Sequence, residues 1–193
     1  MQRAAIGIRA HSGWAAIVTV AGTPPDIEIL DRRRAEICDP AKPGSKQPYH
    51  FVEQMNLAAA EKHLNECAAS SEHLAHVALR EIVERHPLIG ATLLLASGRE
   101  LPALPAILAS HALIHTAEGE FFRDTFRRSC AALNLPVRGV RERELGALAP
   151  IGWQRRISEI GKRIGPPWTQ DQKLAALGAC LILREGVQKV TPT

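Results

Sequence analysis

Aromatic side chains are scarce in this chain of 193 residues: four Phe, three Trp and one Tyr, 4% of the total. A core must therefore be built from Ala, Leu, Ile and Val, and the apolar share of 46% is ordinary for a soluble globular protein. Cysteine is sparse and scattered. Cys38, Cys67, Cys130 and Cys180 form no Cys-x-x-Cys pair, which argues against a zinc knuckle or a dithiol redox motif. A chain long enough to bury its own core has no need of disulfides, so a reducing, cytoplasmic setting is expected. No apolar run approaches the roughly 20 residues of a membrane helix. The N-terminus passes straight into strand-like residues without the pattern of a signal peptide, so no membrane partner is expected. Walker A, Gly-x-Gly-x-x-Gly and His-Glu-x-x-His patterns do not occur. Ser12 and Ser97 lack a Gly-x-Ser-x-Gly context, so a hydrolase triad is unsupported.

What the chain does have is arginine. The net charge is +4, and basic runs recur at Arg32-Arg33-Arg34, Arg127-Arg128, Arg155-Arg156 and Lys162-Arg163. Guanidinium groups form two parallel hydrogen bonds with phosphate or carboxylate. The runs fit either a solvated surface or an anionic partner, meaning nucleic acid or a small anionic ligand.

The first third reads as strands. Ala4 to Ala10 and Ala15 to Val20 are apolar and β-branched, "GTPPD" interrupts, and Ile27 to Ile37 begins with strand alternation. Three strands so close in sequence are most simply an antiparallel meander. A Pro/Gly-rich stretch, Cys38 to His50, has no periodicity and reads as a surface loop or lid. Helical periodicity follows from about Phe51 to His86, with Leu74, Val77, Leu79 and Val83 marking its buried side. Pro87 ends it. Leu88 to Ala96 is nearly all apolar, as expected of a central strand buried on both faces. A second long helix is expected from about Pro105 to Asn134, a short strand over Leu135 to Val140, and helices over Ile151 to Ile164 and Thr169 to Leu183, with Thr169 as N-cap. The expected fold is one α/β domain spanning residues 1–193. A three-stranded meander is followed by αβαβα, giving a mixed five-stranded sheet with helices on both faces.

That order, together with "AIGIRAHSGWAAIVTV", "HTAEGEFFRDTFRRSCAALN", "LPVRGVRERELG", "WQRRISEIGKRIG" and "TQDQKLAALGACLIL", resembles the RNase H-like superfamily, and within it the RuvC-type Holliday-junction resolvases. The resemblance implies nucleic-acid chemistry at acidic residues that hold two divalent metals beside the scissile phosphate. Several positions depart from that pattern. Where the family places an Asp after Gly-Ile in the first strand, this chain reads Gly7-Ile8-Arg9. Near the end of the fourth strand it reads Leu95-Ala96-Ser97, with Glu100 only a little later. In the closing helix Asp171 is present, but Leu174 stands three residues on, where a second acid is expected. A fixed cation at Arg9 repels Mg²⁺, so standard two-metal nuclease chemistry is not expected.

Two other groupings carry chemistry. His111, His115 and Glu118 fall at i, i+4 and i+7, on one helix face. Two imidazoles and a carboxylate suit a divalent metal, or an acid, base and orienting group without one. They are the candidate catalytic set for phosphoester hydrolysis, with or without a divalent metal as cofactor. A polar helix surface is the plainer alternative. Secondly, if strands one and four are neighbours, Arg9 and His11 approach Ser97, Arg99 and Glu100, a ligand-binding set for phosphate or carboxylate. The plainer alternative there is a buried ion pair of Arg9 with Glu100 or Glu118. His73 and His76 near Glu72 read as helix surface, and Trp14, Trp153 and Trp168 as packing residues that can also stack on bases. The small, apolar stretches "LAALGACLIL" and "AILASHALI" also suit close packing against a second copy, giving a homodimer or scaffold as a third expectation.

Overall fold

In the computed structural model, which describes residues 2–96 and 100–188, the meander opens with β1 (Ala4–His11), β2 (Trp14–Thr23) and β3 (Asp26–Glu36). His11 pairs with Trp14 across a two-residue turn in which Gly13 takes φ +80°, a conformation glycine adopts without penalty. After α1 (Pro48–Val52) and α2 (Leu57–Arg85), the chain returns as β4 (Leu88–Leu95), parallel to β1 with Gly7 opposite Thr92. Helices α3 (Leu104–Leu108) and α4 (His111–Ala132) lead to β5 (Val137–Arg141), parallel to β4. Three helices close the fold: α5 (Glu142–Leu148), α6 (Trp153–Ile164) and α7 (Gln170–Gln188). The sheet order is β3-β2-β1-β4-β5, the mixed five-stranded sheet that the sequence implies.

Alternation along the strands assigns each helix to a side. Ala5, Val18, Val20 and Leu94 face α5, α6 and α7, and share a core with Ala176, Leu177, Cys180 and Leu181. Ile6, Ile8, Ile17 and Leu93 face α2 and α4, and pack on Leu79, Ile82, Phe122 and Phe126. The period of two places Arg9 and His11 on the α5–α7 side, in line with Ala5 and Gly7. Gly7 matters because α7 lies directly on β1: a Cβ there would sit 1.7 Å from the carbonyl oxygen of Ala175. At the next strand, Thr92 Oγ1 donates to the Gly178 carbonyl at 2.8 Å.

The long helical regions are each divided. Val52 ends α1, and α2 begins only after Asn56, whose Oδ1 accepts the Ala59 N–H at 2.9 Å as an N-cap. The buried stripe of α2 runs through Ala60, Leu64, Cys67, Ser71, Ala75, Leu79 and Ile82, so Leu74, Val77 and Val83 are only partly buried beside it. Between α3 and α4, Ser110 is extended (φ −138°, ψ 110°) and starts a new helix at His111. The loop expected over Cys38 to His50 gives way to helix at Pro48, because proline favours the first helical turn. α5 has no counterpart in the sequence reading. α7 begins with the expected Thr169 cap: Thr169 Oγ1 accepts from Gln172 N (3.3 Å) while Gln172 Oε1 accepts from Thr169 N (3.0 Å).

Most of the arginine runs are absorbed into this framework. Arg32 donates to the carbonyls of Ile164, Gly165 and Pro167 at the end of α6. Arg33 is clamped by Asp31 and Glu81, Arg127 pairs with Asp124 and Arg128 with Glu72. Arg156 pairs with Asp26. Trp153 is buried, and Trp168 donates its indole N–H to the Ile157 carbonyl at 2.8 Å. The small-residue face of α7 is covered by the chain's own sheet, with Ala175, Ala176, Ala179 and Cys180 all buried, so that face is not free for a second copy. Burial pushes the Cys130 and Cys180 thiols up to about 12, which leaves them protonated and unreactive. No helix among the described residues is long and apolar enough to cross a membrane.

Candidate functional site

Two polar clusters stand out, one on each side of the sheet. The first is centred on Arg9 near the C-terminal end of β1. Its guanidinium takes Glu142, at the start of α5, as a two-pronged partner: Nε to Oε2 at 3.0 Å and Nη2 to Oε1 at 2.9 Å. Nη1 donates to Asp171 Oδ1, in the first turn of α7. The Arg9 ion pair is therefore with Glu142 and Asp171, not with Glu100 or Glu118. Glu142 gave no signal in the sequence because α5 was not recognised there, although it directly follows a short strand. Asp171 is placed by the Thr169 cap and by the close seat of α7 on Gly7.

His11 completes this cluster. Its Nε2 lies 3.0 Å from Asp171 Oδ1 and 3.4 Å from Arg9 Nη1. The shorter contact assigns the proton to Nε2, donating to Asp171. The His11 ring stacks on Trp14, with centroids 4.3 Å apart and planes at 12°, and Arg34 covers the Trp14 ring at 3.7 Å. Both neighbours sit against ring faces, so Trp14 is held between a cation and an imidazole. Burial, and then the Arg9 charge, lower the His11 pKa from its ordinary 6.5. His11 is thus neutral at pH 7 in the fold. Because the unfolded chain protonates first, the stability His11 contributes is complete above pH 6.5 and is lost as the pH falls through 6.5 towards the lowered value. Wild type minus His11→Asn stability, followed by urea unfolding from pH 7.5 to 5, is expected to shrink on acidification. A pH-independent difference would contradict a neutral His11.

Beside this cluster an open cleft of about 610 Å³ is lined by Leu95, Ala96, Glu142, Arg143, Gln170 and Leu174. It lies beyond the C-terminal end of β4. In open α/β sheets, ligands characteristically bind outside the strand C-termini. Ser97 and Arg99, the other members of the strand-end set, lie outside the described residues. Glu100 is described and exposed on the segment after β4.

The second cluster belongs to the α2/α4 side. His111 and His115, one turn apart at the start of α4, are exposed, with their Nε2 atoms 3.0 Å apart. Glu118 is on the same face but lies inward, 3% exposed. It turns to α1: its Oε2 accepts the Tyr49 N–H (3.1 Å), the His50 N–H (3.4 Å) and the His50 Nδ1–H (3.1 Å). Burial pushes the Glu118 pKa up, opposed by the His50 contacts. The residue that joins the two histidines is therefore His50, whose ring centroid lies 4.7 Å from His115 and 5.6 Å from His111. Sequence reasoning placed His50 at the end of a structureless loop. The available signal was Pro48, a helix-starting residue two positions before it.

No family model matches the chain, and no curated protein sequence matches it. Solved structures do. RuvC of T. thermophilus in complex with a Holliday junction substrate superposes with a TM-score of 0.60 over 100% of both chains at 9% sequence identity. A second Thermus thermophilus RuvC structure gives a TM-score of 0.59 at 10% identity, covering 98% of this chain and 99% of that one. Identity this low speaks to architecture alone, and the architecture agrees over the whole length: the chain has the RNase H-like fold, in the form seen in RuvC.

Proposed function

We propose that this protein binds nucleic acid on the RuvC-like scaffold and does not cut it by two-metal chemistry. The observation that carries the second half is the position of Arg9. Its guanidinium sits between Glu142 and Asp171, filling with a fixed charge the place where two carboxylates would otherwise share a divalent cation. Support for the first half comes from the fold shared with a junction-bound RuvC, and from the cleft beyond β4. There Arg143 is exposed and lines the wall. The donors of Arg9 are already committed to carboxylates, so the phosphate contact falls to Arg143, while Arg9 and His11 sit behind the cleft wall, Arg9 holding its Glu142. Ser97, Arg99 and Glu100 belong to the same strand-end set in this reading.

Fluorescence anisotropy with labelled four-way junction, duplex and single-stranded DNA, titrated with salt, tests this. Binding is expected at low salt and to weaken steeply as salt rises, because phosphate contacts release counterions. Arg143→Ala is expected to reduce the slope of log affinity against log salt by about 1. Absence of binding to all three DNAs at low salt would refute nucleic-acid binding. Mg²⁺-dependent cleavage that Asp171→Asn abolishes would refute the metal-free centre.

A further inference from the structure

We propose that His50, His111 and His115 form a binding site for a first-row divalent transition metal such as zinc, with Glu118 holding His50 in position rather than ligating the metal itself. This site is separate from the nucleic-acid reading, on the opposite side of the sheet from Arg9. One ligand atom from each of the three histidines lies within 4.8 Å of the others. Tetrahedral zinc with Zn–N bonds of about 2.0–2.1 Å needs nitrogens roughly 3.3 Å apart. The rings must therefore close by no more than about 1.5 Å. His111 and His115 are exposed on their helix, so their side-chain torsions are free to make that adjustment.

The arrangement around His50 separates this cluster from a chance group of surface histidines. Glu118 accepts the Nδ1–H of His50, which fixes the tautomer with the lone pair on Nε2. Carboxylate–histidine–metal relays of this kind orient the ligand and raise its basicity. The same Oε2 also accepts two backbone N–H groups of α1, so a five-residue helix too short to be stable alone is held to α4 through one buried carboxylate. Glu118 Oε1 is buried with no hydrogen-bond partner among the described residues. Desolvating a carboxylate in this way is costly, and a cation on the far nitrogen of His50 offsets that cost by strengthening the Nδ1–H donor. Three imidazoles match zinc, copper, nickel and cobalt, not magnesium or calcium. Three protein ligands leave a fourth position open on the exposed side, where a water molecule fits.

Protein stripped with chelator and titrated with Co²⁺ is expected to develop visible d–d bands of a low-coordinate site. Zn²⁺ should displace them at one equivalent per chain, measured by elemental analysis after dialysis. His111→Ala and His115→Ala change exposed residues and should leave the fold intact while lowering Zn²⁺ affinity at least 100-fold in competition with a chromogenic indicator. Glu118→Gln, which keeps the shape but weakens the acceptor, is expected to lower it 10- to 100-fold. Zinc binding that is unchanged in both His111→Ala and His115→Ala, or no Co²⁺ or Zn²⁺ binding at micromolar protein, would overturn the proposal.

Discussion

Arg9→Ala is expected to cost about 2 kcal/mol of stability and to make the protein respond to Mg²⁺. In the wild type one guanidinium serves two carboxylates. Its side chain is 22% exposed, against 41% for Glu142 and 23% for Asp171. Removing one partner of a fully buried pair costs about 3–5 kcal/mol. Partial exposure screens the charges left behind and brings the figure down. What remains is two like charges facing a vacated volume, with no cation between them. Carboxylate oxygens converging on a small space are what a hard divalent ion prefers. If Mg²⁺ binds the variant with a dissociation constant of about 1 mM, 10 mM Mg²⁺ returns about 1.4 kcal/mol by mass action. For a chain of this size that raises Tm by roughly 3–6 °C. The wild type should show no such shift, since the imidazole cluster across the sheet has little affinity for Mg²⁺. Arg9→Lys should fall between the two: it keeps the charge but loses the two-pronged bond to Glu142, and it should remain indifferent to Mg²⁺. Differential scanning fluorimetry with and without Mg²⁺ decides the matter. If Arg9→Ala ignores Mg²⁺, the guanidinium is not standing where a cation would stand. If the wild type is stabilised by Mg²⁺, the acids accept metal with Arg9 in place.

The sequence carried the layout of the sheet and much less of the sites, for physical reasons. Strand periodicity of two and a nearly unbroken apolar run at β4 are local signals, so the meander, the buried central strand and the parallel crossovers were legible. Arg9 stood out because it occupies the first-strand position where the resemblance implies a metal-binding Asp. Its partners did not, because Glu142 and Asp171 lie 133 and 162 residues away and meet it only through the tertiary fold. The histidine spacing at 111 and 115 was visible as helical geometry, whereas the inward turn of Glu118 was not. Periodicity places a residue on a face but does not say how deep it lies. His50 was hidden by its neighbourhood. Proline, glycine and lysine mask the brief helix that Glu118 holds in place. The arginine runs fitted either a solvated surface or an anionic partner, and their pairing was equally hidden: Arg32, Arg33 and Arg128 are occupied by carbonyls and carboxylates of the same chain.

Gly7→Ala is the single-methyl change with the largest expected cost. The added Cβ would meet the backbone of α7, 1.7 Å from the Ala175 oxygen, 2.4 Å from its carbonyl carbon and 3.0 Å from its Cα. No rotamer relieves such a clash, because none of those atoms belongs to a side chain. Either β1 or α7 must shift, and both are fixed: β1 is hydrogen-bonded to β2 and β4, and α7 is anchored by the Thr92–Gly178 bond and by the buried Ala175, Ala176, Leu177, Ala179, Cys180, Leu181 and Leu183. Overpacking that displaces backbone costs about 3 kcal/mol, which for this chain length is a fall in Tm of roughly 6–12 °C. Gly146→Ala in α5 makes the matched control. Gly146 is exposed, and its added Cβ would touch only the amide nitrogen of Gln154 at 3.1 Å, the movable end of a flexible side chain. There the helix preference for alanine should hold stability level or raise it by about 0.5–1 kcal/mol. The same chemical change is thus expected to act with opposite sign at the two positions, and paired urea melts measure both. A Gly7→Ala protein within 1 kcal/mol of wild type would mean that α7 does not rest on β1 at this distance. The consequence reaches the strand-end cluster, because Asp171 rides on the first turn of α7. A Gly7→Ala chain that still folds should hold Asp171 away from Arg9 and His11, and the lowered His11 pKa should relax towards 6.5 as the site opens to water.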